Sequence, residues 1–462
     1  MFADLVLNPV TLSVIVMVVL CLLKFNIILS VLIAAVFAGL ISGMPLSNMV
    51  VDGESVTGVM QTFIAGMAGM NNIALAYILL GALAYALQAS GLASKFANWM
   101  GRLFSTSGWL FLIVLAIVAS FSQNLIPIHI ALIPILVPPL LGLMNKLKID
   151  RRAAACSLAF GLKAPYIMLP FGFGLIFHSI VATNITESGL NVETEAIWQH
   201  MWPLFFAMII GLLIAIFISY RKPREYEDKP LIVAAEVDED DIKGEFKLKH
   251  WGALIGAMAT FGMQIWAQRA FPGSPLWALS LGATLALLIM FMFGTLSPRR
   301  EKLNEAIKGG IGLMGFIAFI MLVAAGFAGV LRATGGIDTL VNAAFYLAGD
   351  NRLAALIAMQ IIGLLITMGI GTSFGTIPLI SAVFVPFMMM MGFSPAAIIV
   401  TIAAAGATGD AGMPQSDTAL GPTAGLNADG QHDHIWDTCV PTFVHFNFPI
   451  KIVGIIAARI LM

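Results

Sequence analysis

Residues Gly406 to Pro449, GATGDAGMPQSDTALGPTAGLNADGQHDHIWDTCVPTFVHFNFP, set the terms on which this chain can fold. They follow an apolar run, Ala396–Ala405, that would ordinarily continue as a membrane helix. Glycines at 406, 409, 412, 421, 425 and 430 and prolines at 414, 422 and 441 prevent that, because an uninterrupted helix does not accept them. Carboxylates stand at Asp410, Asp417, Asp429, Asp433 and Asp437, with His432, His434 and His445 among them. From Val440 the chain is apolar again. Lipid cannot satisfy a broken backbone, so a polar segment in such a setting has to line water, substrate or ions.

Composition fixes the setting. The 462 residues are 59% hydrophobic and only 11% charged, where a soluble domain carries roughly 25% charged residues. This reads as an all-α polytopic membrane protein with about 12–14 membrane segments. A net charge of −1 leaves no footprint for nucleic acid. Cys21, Cys156 and Cys439 have no pair spacing and read as reduced structural residues. The 26 methionines read as lipid-facing or core filler. The first apolar run, Val10–Leu23, lacks a basic region before it and reads as a span rather than a cleaved leader.

Apolar runs follow at Ile27–Gly43, Asn72–Ala89, Trp109–Phe121, Leu140–Met144, Ala153–Ile180 (interrupted by LKAPYIMLPFGFG) and Pro203–Tyr220. After a charged stretch, Arg221–His250, come Trp251–Ala270, Leu276–Phe293, Ile311–Leu331, Leu353–Ile370, Ile377–Met391, Pro395–Ala405 and Val440–Met462. The positive-inside rule tests this order. Lys24, Lys95 with Arg102, Lys146–Arg152, Arg221–Lys249 and Arg299–Lys308 fall on one side, and the acidic loops around Asp52 and Glu193 on the other. The N- and C-termini are then both expected outside. The acidic run Glu236–Asp241 reads as a solvated linker.

The two halves resemble each other. ILLGALAYALQASG (Ile78–Gly91) lies beside LVAAGFAGVLRATG (Leu322–Gly335), SQNLIPIHI (Ser122–Ile130) beside TSFGTIPLI (Thr372–Ile380), and LKAPYIMLP (Leu162–Pro170) beside ATGDAGMP (Ala407–Pro414). Each half holds five segments, an odd number, so the two should insert upside down relative to each other. Inverted-topology repeats with broken helices or re-entrant hairpins are an architecture of secondary transporters, with the site where the repeats meet. The division is then 1–59 N-terminal accessory helices, 60–220 first repeat, 221–250 cytoplasmic charged linker, 251–307 accessory helices, and 308–462 second repeat.

Four breaks carry the chemistry: Ser120–Pro127, Lys163–Gly174, Gly369–Pro378 and Gly406–Asp417. Ser122, Gln123, Asn124, Thr372, Ser373 and Thr376 gather there and offer the hard oxygens that sodium favours, though Ser and Thr also pack membrane helices. Half-helix ends add N–H groups for anions and carbonyls for cations. Asp410 has no Lys or Arg within ten positions, so its charge is costly unless it binds a cation or titrates. Asp417, between Ser416 and Thr418, is the second such carboxylate. One carboxylate holding sodium and a proton in turn is the simplest antiport mechanism; the plainer alternative is that either aspartate caps a half-helix. Lys163 falls near the position of Asp410 in the opposite repeat, as an ion-pair partner or as an internal cation that replaces sodium. Asp433, His434 and Asp437 read as a proton relay or gate, with a solvated loop as the alternative. The spacing of His432 and His434 fits no helical face, and there is no metal motif around them, so no metal site is expected. His129 is a further intramembrane proton carrier. An enzyme would need a nucleophile with its base or a metal set, and only the Asp429–His434 cluster could serve, so none is expected.

Gly371-Thr-Ser-Phe-Gly-Thr376, and Gly409-Asp410 followed by Pro414-x-Ser416-Asp417-Thr418 and then Asp433-His434, resemble the motifs of the NhaC-like sodium/proton antiporter family of the ion transporter superfamily. The resemblance implies a multi-pass carrier of the bacterial inner membrane that exchanges sodium for protons by alternating access. It places cation handling on Asp410, Ser416, Asp417 and Thr418, with sodium as the coupling ion and no other cofactor. It also implies a homodimer. The longer segment from Ala419 to Pro449 is similar to a subgroup of amino acid transporters, histidine among the substrates suggested. That leaves open sodium- or proton-coupled uptake of an amino acid or small organic anion.

Overall fold

The computed structural model describes residues 7–51, 54–92, 95, 107–124, 129–170, 173–232, 246–271, 277–296 and 300–462. Among these the chain is almost entirely helical. Among them the strands form one antiparallel hairpin, β1 (Met49–Val51) and β2 (Glu54–Val56), in the loop before the first long helix. Five helices of at least 18 residues are apolar enough to cross a membrane: Val59–Ala89, Trp202–Ser219, Glu301–Ala333, Arg352–Ile370 and His434–Ile460. Shorter apolar helices accompany them.

In chain order the helices are α1 (Pro9–Leu22), α2 (Ile27–Ile41), α3 (Val59–Met67), α4 (Asn71–Ala89), α5 (Gly108–Asn124), α6 (His129–Lys146), α7 (Arg151–Met168), α8 (Phe173–Glu187), α9 (Thr194–Trp198) and α10 (Trp202–Ile214). There follow α11 (Leu248–Ala270), α12 (Trp277–Met292), α13 (Arg300–Ala333), α14 (Gly336–Ala348), α15 (Arg352–Ile370), α16 (Ser373–Met390), α17 (Pro395–Ala407) and α18 (Asp417–Leu426). The last, α19, runs from His434 to Ile460 and contains π segments at His434–Cys439 and Phe443–Asn447. Helix α14 was not anticipated from the sequence: its polar residues hide a short apolar face.

Small residues let the helices approach closely, as membrane interfaces require. A Cβ at Gly310 of α13 would lie 2.3 Å from the Ala82 nitrogen of α4. A Cβ at Gly161 of α7 would lie 2.5 Å from the Ala116 carbonyl oxygen of α5. The outside carries large apolar side chains. Trp202, Phe206 and Ile210 stand one turn apart on α10, each more than half exposed, which is a stripe made for lipid.

The breaks are shorter than the sequence suggests. Lys163 sits within α7, which carries Pro165 inside it and ends only at Met168. Residues 369–378 are interrupted only at Gly371 and Thr372: Gly371 takes φ 80° to close α15, and Thr372 caps α16 by accepting from the Gly375 N–H at 3.1 Å. Thr376 and Pro378 are helical. Between α17 and α18 the chain is irregular from Thr408 to Ser416. Of the break expected at Ser120–Pro127, residues 120–124 belong to α5, and the rest lies outside the described residues.

In chain order α5, α6, α7 and α8 are followed later by α15, α16, α17 and α18. The two sets interlock. Helix α6 of the first half packs on α18 of the second, where a Cβ at Gly425 would meet the Ile133 carbonyl oxygen at 3.1 Å. Helix α8 of the first half packs on α16 of the second. Helices α6 and α8 thus each pack on a helix from late in the chain.

Candidate functional site

The start of α16, the break after α17, the middle of α7 and the π-helical part of α19 converge on one buried carboxylate. Asp410, only 7% exposed, accepts from the backbone N–H of Ser373 through Oδ1 at 2.9 Å. Its Oδ2 accepts from the hydroxyls of both Ser373 and Tyr166, which lie 3.2 Å from each other. Lys163, one turn before Tyr166 on α7 and fully buried, is close enough for its charge to act on Asp410. Its ammonium is 3.5 Å from Asn447 Oδ1, and Asn447 in turn donates to the Ala411 carbonyl at 2.8 Å.

Magnitudes explain why this aspartate is tolerated. A carboxylate at mid-membrane costs about 3 kcal/mol on insertion scales. Three hydrogen bonds to a charged group, at about 1.5–3 kcal/mol each, offset that cost before Lys163 is counted. The first turn of α16 adds its positive helix end. The result is a negatively charged oxygen pair held by two hydroxyls and one backbone N–H, within electrostatic reach of one buried ammonium. Such an arrangement can exchange a bound cation for a proton at a single charge.

The other residues singled out from the sequence divide into four groups. Ser416, Asp417 and Thr418 open α18 beside this site; the Ser416 and Thr418 hydroxyls are 3.0 Å apart, and the Asp417 charge is felt by Asp410 and Tyr166. Thr372 and Thr376 border it, but the Thr376 hydroxyl donates back to the Thr372 carbonyl at 2.9 Å. The side chains of Ser122, Gln123, Asn124 and His129 lie outside the described residues.

Asp433, His434 and Asp437 belong to a separate cluster where the linker runs. Asp433 caps α19, accepting from the Trp436 N–H at 2.8 Å. Asp437 accepts from the Asp433 N–H at 3.0 Å and pairs with Arg224 of the linker at 2.9 Å. His434 contacts the Thr423 hydroxyl and the Pro414 carbonyl, each at 2.8 Å. Beside them Arg151 grips Asp429 with two 2.6 Å hydrogen bonds, both side chains being buried. Burial works against the Asp429 charge, but Arg151 and Gln431 outweigh it and hold this carboxyl below the usual range. His432 is pushed down to about 3, chiefly by burial. Among the described residues no group of His, Cys, Asp and Glu is arranged to hold a metal ion.

Four participants were not anticipated. Tyr166 and Asn447 complete the Asp410 site, Lys451 of α19 donates to the Gln360 carbonyl, and Gln415 donates to the Met368 carbonyl. Lys451 had a signal, since it is an ionisable group inside an apolar span. Tyr166 and Asn447 had none, because nothing local tells a site hydroxyl or amide from packing.

Comparison with known proteins agrees with this picture. Residues 157–458 match the Na+/H+ antiporter family and residues 8–103 a second family described as Na+-H+ antiporter family. The chain is 44% identical to an uncharacterized membrane protein of Vibrio parahaemolyticus, over 98% of this chain and all of that one. It is 42% identical to the "Putative amino acid transporter YuiF" of Bacillus subtilis, over 88% of this chain and 91% of that one. The YdaH transporter of Alcanivorax borkumensis aligns over 97% of both chains with a TM-score of 0.44 and 14% identity. With its helical, membrane-adapted fold and its buried carboxylate, the chain belongs to the Na+/H+ antiporter family and is a membrane cation/proton transporter, not an enzyme.

Proposed function

We propose that this protein exchanges sodium for protons across the bacterial inner membrane by alternating access, with Asp410 as the shared binding group. The observation that carries this reading is the triple hydrogen bonding of Asp410 by Ser373 and Tyr166 at the junction of the two halves. A sodium ion would draw on the Asp410 oxygens, with the Ser373 hydroxyl and neighbouring amide oxygens at hand. A proton would neutralise the same charge and release it. Lys163 stands ready as the internal cation of the empty carrier. The packing of α6 on α18 and of α8 on α16 supports inverted repeats that rock about this point.

Purified protein in liposomes holding a pH-sensitive dye tests this. Sodium added outside should move protons, and Asp410→Asn should not do so at any pH. Normal exchange by both Asp410→Asn and Asp417→Asn would remove the assignment.

A second reading is sodium- or proton-coupled uptake of an amino acid. The name of the Bacillus relative suggests it. A cavity lined by Thr372, the residue before Ser373, favours it.

A further inference from the structure

A cavity of about 110 Å³ opens between α3, α13, the break after α15 and the first turn of α16. A single water needs only ~10–15 Å³ on such a measure, so there is room for a small solute. Gly69, Arg332, Gly371, Thr372, Gly375 and Gln415 are among its lining.

Three observations give it a chemical character. Arg332 is exposed at its edge and has no ion-pair partner among the described residues. Gln415 is 1% exposed; its amide nitrogen is committed to the Met368 carbonyl, and its Oε1 is buried without any partner. A buried acceptor left unpaired costs about 1–3 kcal/mol, which a donor arriving in the cavity would recover. The start of α16 adds partial positive charge on the same wall. A cation and a helix N-terminus ask for an anion; an orphan carbonyl oxygen asks for a donor. Both demands are met by one small molecule that carries a carboxylate and an ammonium.

We infer that this cavity binds a free amino acid, its carboxylate on Arg332 and the start of α16, its ammonium on Gln415 Oε1. This deepens the second reading above and rests on it. The placement also supplies a coupling route. Thr372 lines the cavity, and Ser373, the next residue, holds Asp410 through its N–H and its hydroxyl. Cargo and coupling ion therefore meet on one helix end, and occupancy of either changes the field felt by the other.

The test is ligand protection of the purified full-length protein, read from the thermal shift of its eight tryptophans. Each of the twenty standard amino acids is offered singly, with propionate and ethylamine as probes that keep one charged end each. At least one amino acid should protect the wild type, with propionate and ethylamine weaker. Arg332→Gln should raise the Kd for that amino acid at least tenfold, and Arg332→Lys should fall between. Gly69→Leu should abolish protection by filling the cavity, because a Cβ at Gly69 meets nothing within 4 Å and the fold has room for it. If an amino acid protects the wild type and both Arg332→Gln and Gly69→Leu equally, the site is wrong and the amino acid reading stands. If none of the twenty protects the wild type, both are overturned.

Discussion

The backbone N–H of Ser373 meets Oδ1 of Asp410 at 2.9 Å, so the first turn of one helix governs a carboxylate 37 residues further along the chain. A main-chain donor cannot be removed by mutation, but the two hydroxyls on Oδ2 can. Tyr166→Phe and Ser373→Ala each delete one charge-assisted hydrogen bond, worth about 1.5–3 kcal/mol. Each should slow sodium-driven proton flux by roughly tenfold or more, with thermal unfolding little changed. Initial rates in dye-loaded liposomes, measured over a sodium titration, check this. Unaltered rates in both variants would show that the hydroxyls only pack.

Lys163 makes the opposite demand on the site. Its buried ammonium acts electrostatically on Asp410, and a bound cation must compete with it. Lys163→Gln should therefore bind radioactive sodium several-fold more tightly while turning over more slowly. The sign is diagnostic, since a purely structural lysine would weaken both.

Arg151 and Asp429 are a buried ion pair. Arg151→Ala should destabilise the protein by about 3–5 kcal/mol, because it leaves a buried charge alone. The double variant Arg151→Met/Asp429→Leu should recover most of that loss, since a well-packed apolar pair replaces a buried ion pair at little cost. Equilibrium unfolding of the purified variants compares the three.

Acid should weaken the fold near the linker. His432 titrates near 6.5 when unfolded and at about 3 when folded, so between these values the unfolded chain binds a proton that the native one refuses. Its contribution is whole above about pH 6.5 and falls by up to about 1.4 kcal/mol per pH unit below that. Asp437, Arg151, His434 and Arg224 are the charged groups facing it. Asp429, held low, has the same sign but acts only below the ordinary carboxylate range. Unfolding midpoints between pH 7.5 and 5 should drop, and His432→Gln should flatten the slope.

These sites were unequally visible in the sequence. Asp410 stood out because a lone carboxylate after an apolar helix violates the economics of lipid, and Gly371 and Gly412 marked the breaks, both taking positive φ. The breaks read too long because proline was weighed as a terminator. Pro165, Pro378 and Pro386 all sit inside helices, where neighbouring membrane helices absorb the lost hydrogen bond. Asp433 and Asp437 read from their type as a proton relay or gate; in the fold Asp433 starts a helix and Asp437 pairs with Arg224. Tyr166 and Gln415 needed tertiary contacts more than 40 residues apart in sequence, which no local pattern encodes.

The crossed pairing of α6 with α18 and α8 with α16 has a consequence for biogenesis. Synthesis delivers α6 and α8 well before the helices that cover them exist. Until α16 and α18 follow, Lys163 and Tyr166 belong to a half-built wall with no counter-carboxylate. The first half must wait in the membrane as an incomplete insertion intermediate, and the two halves become one cooperative unit only when the later helices thread into place. A chain cut in the linker should consequently regain activity when both pieces are made together, and neither piece should survive alone.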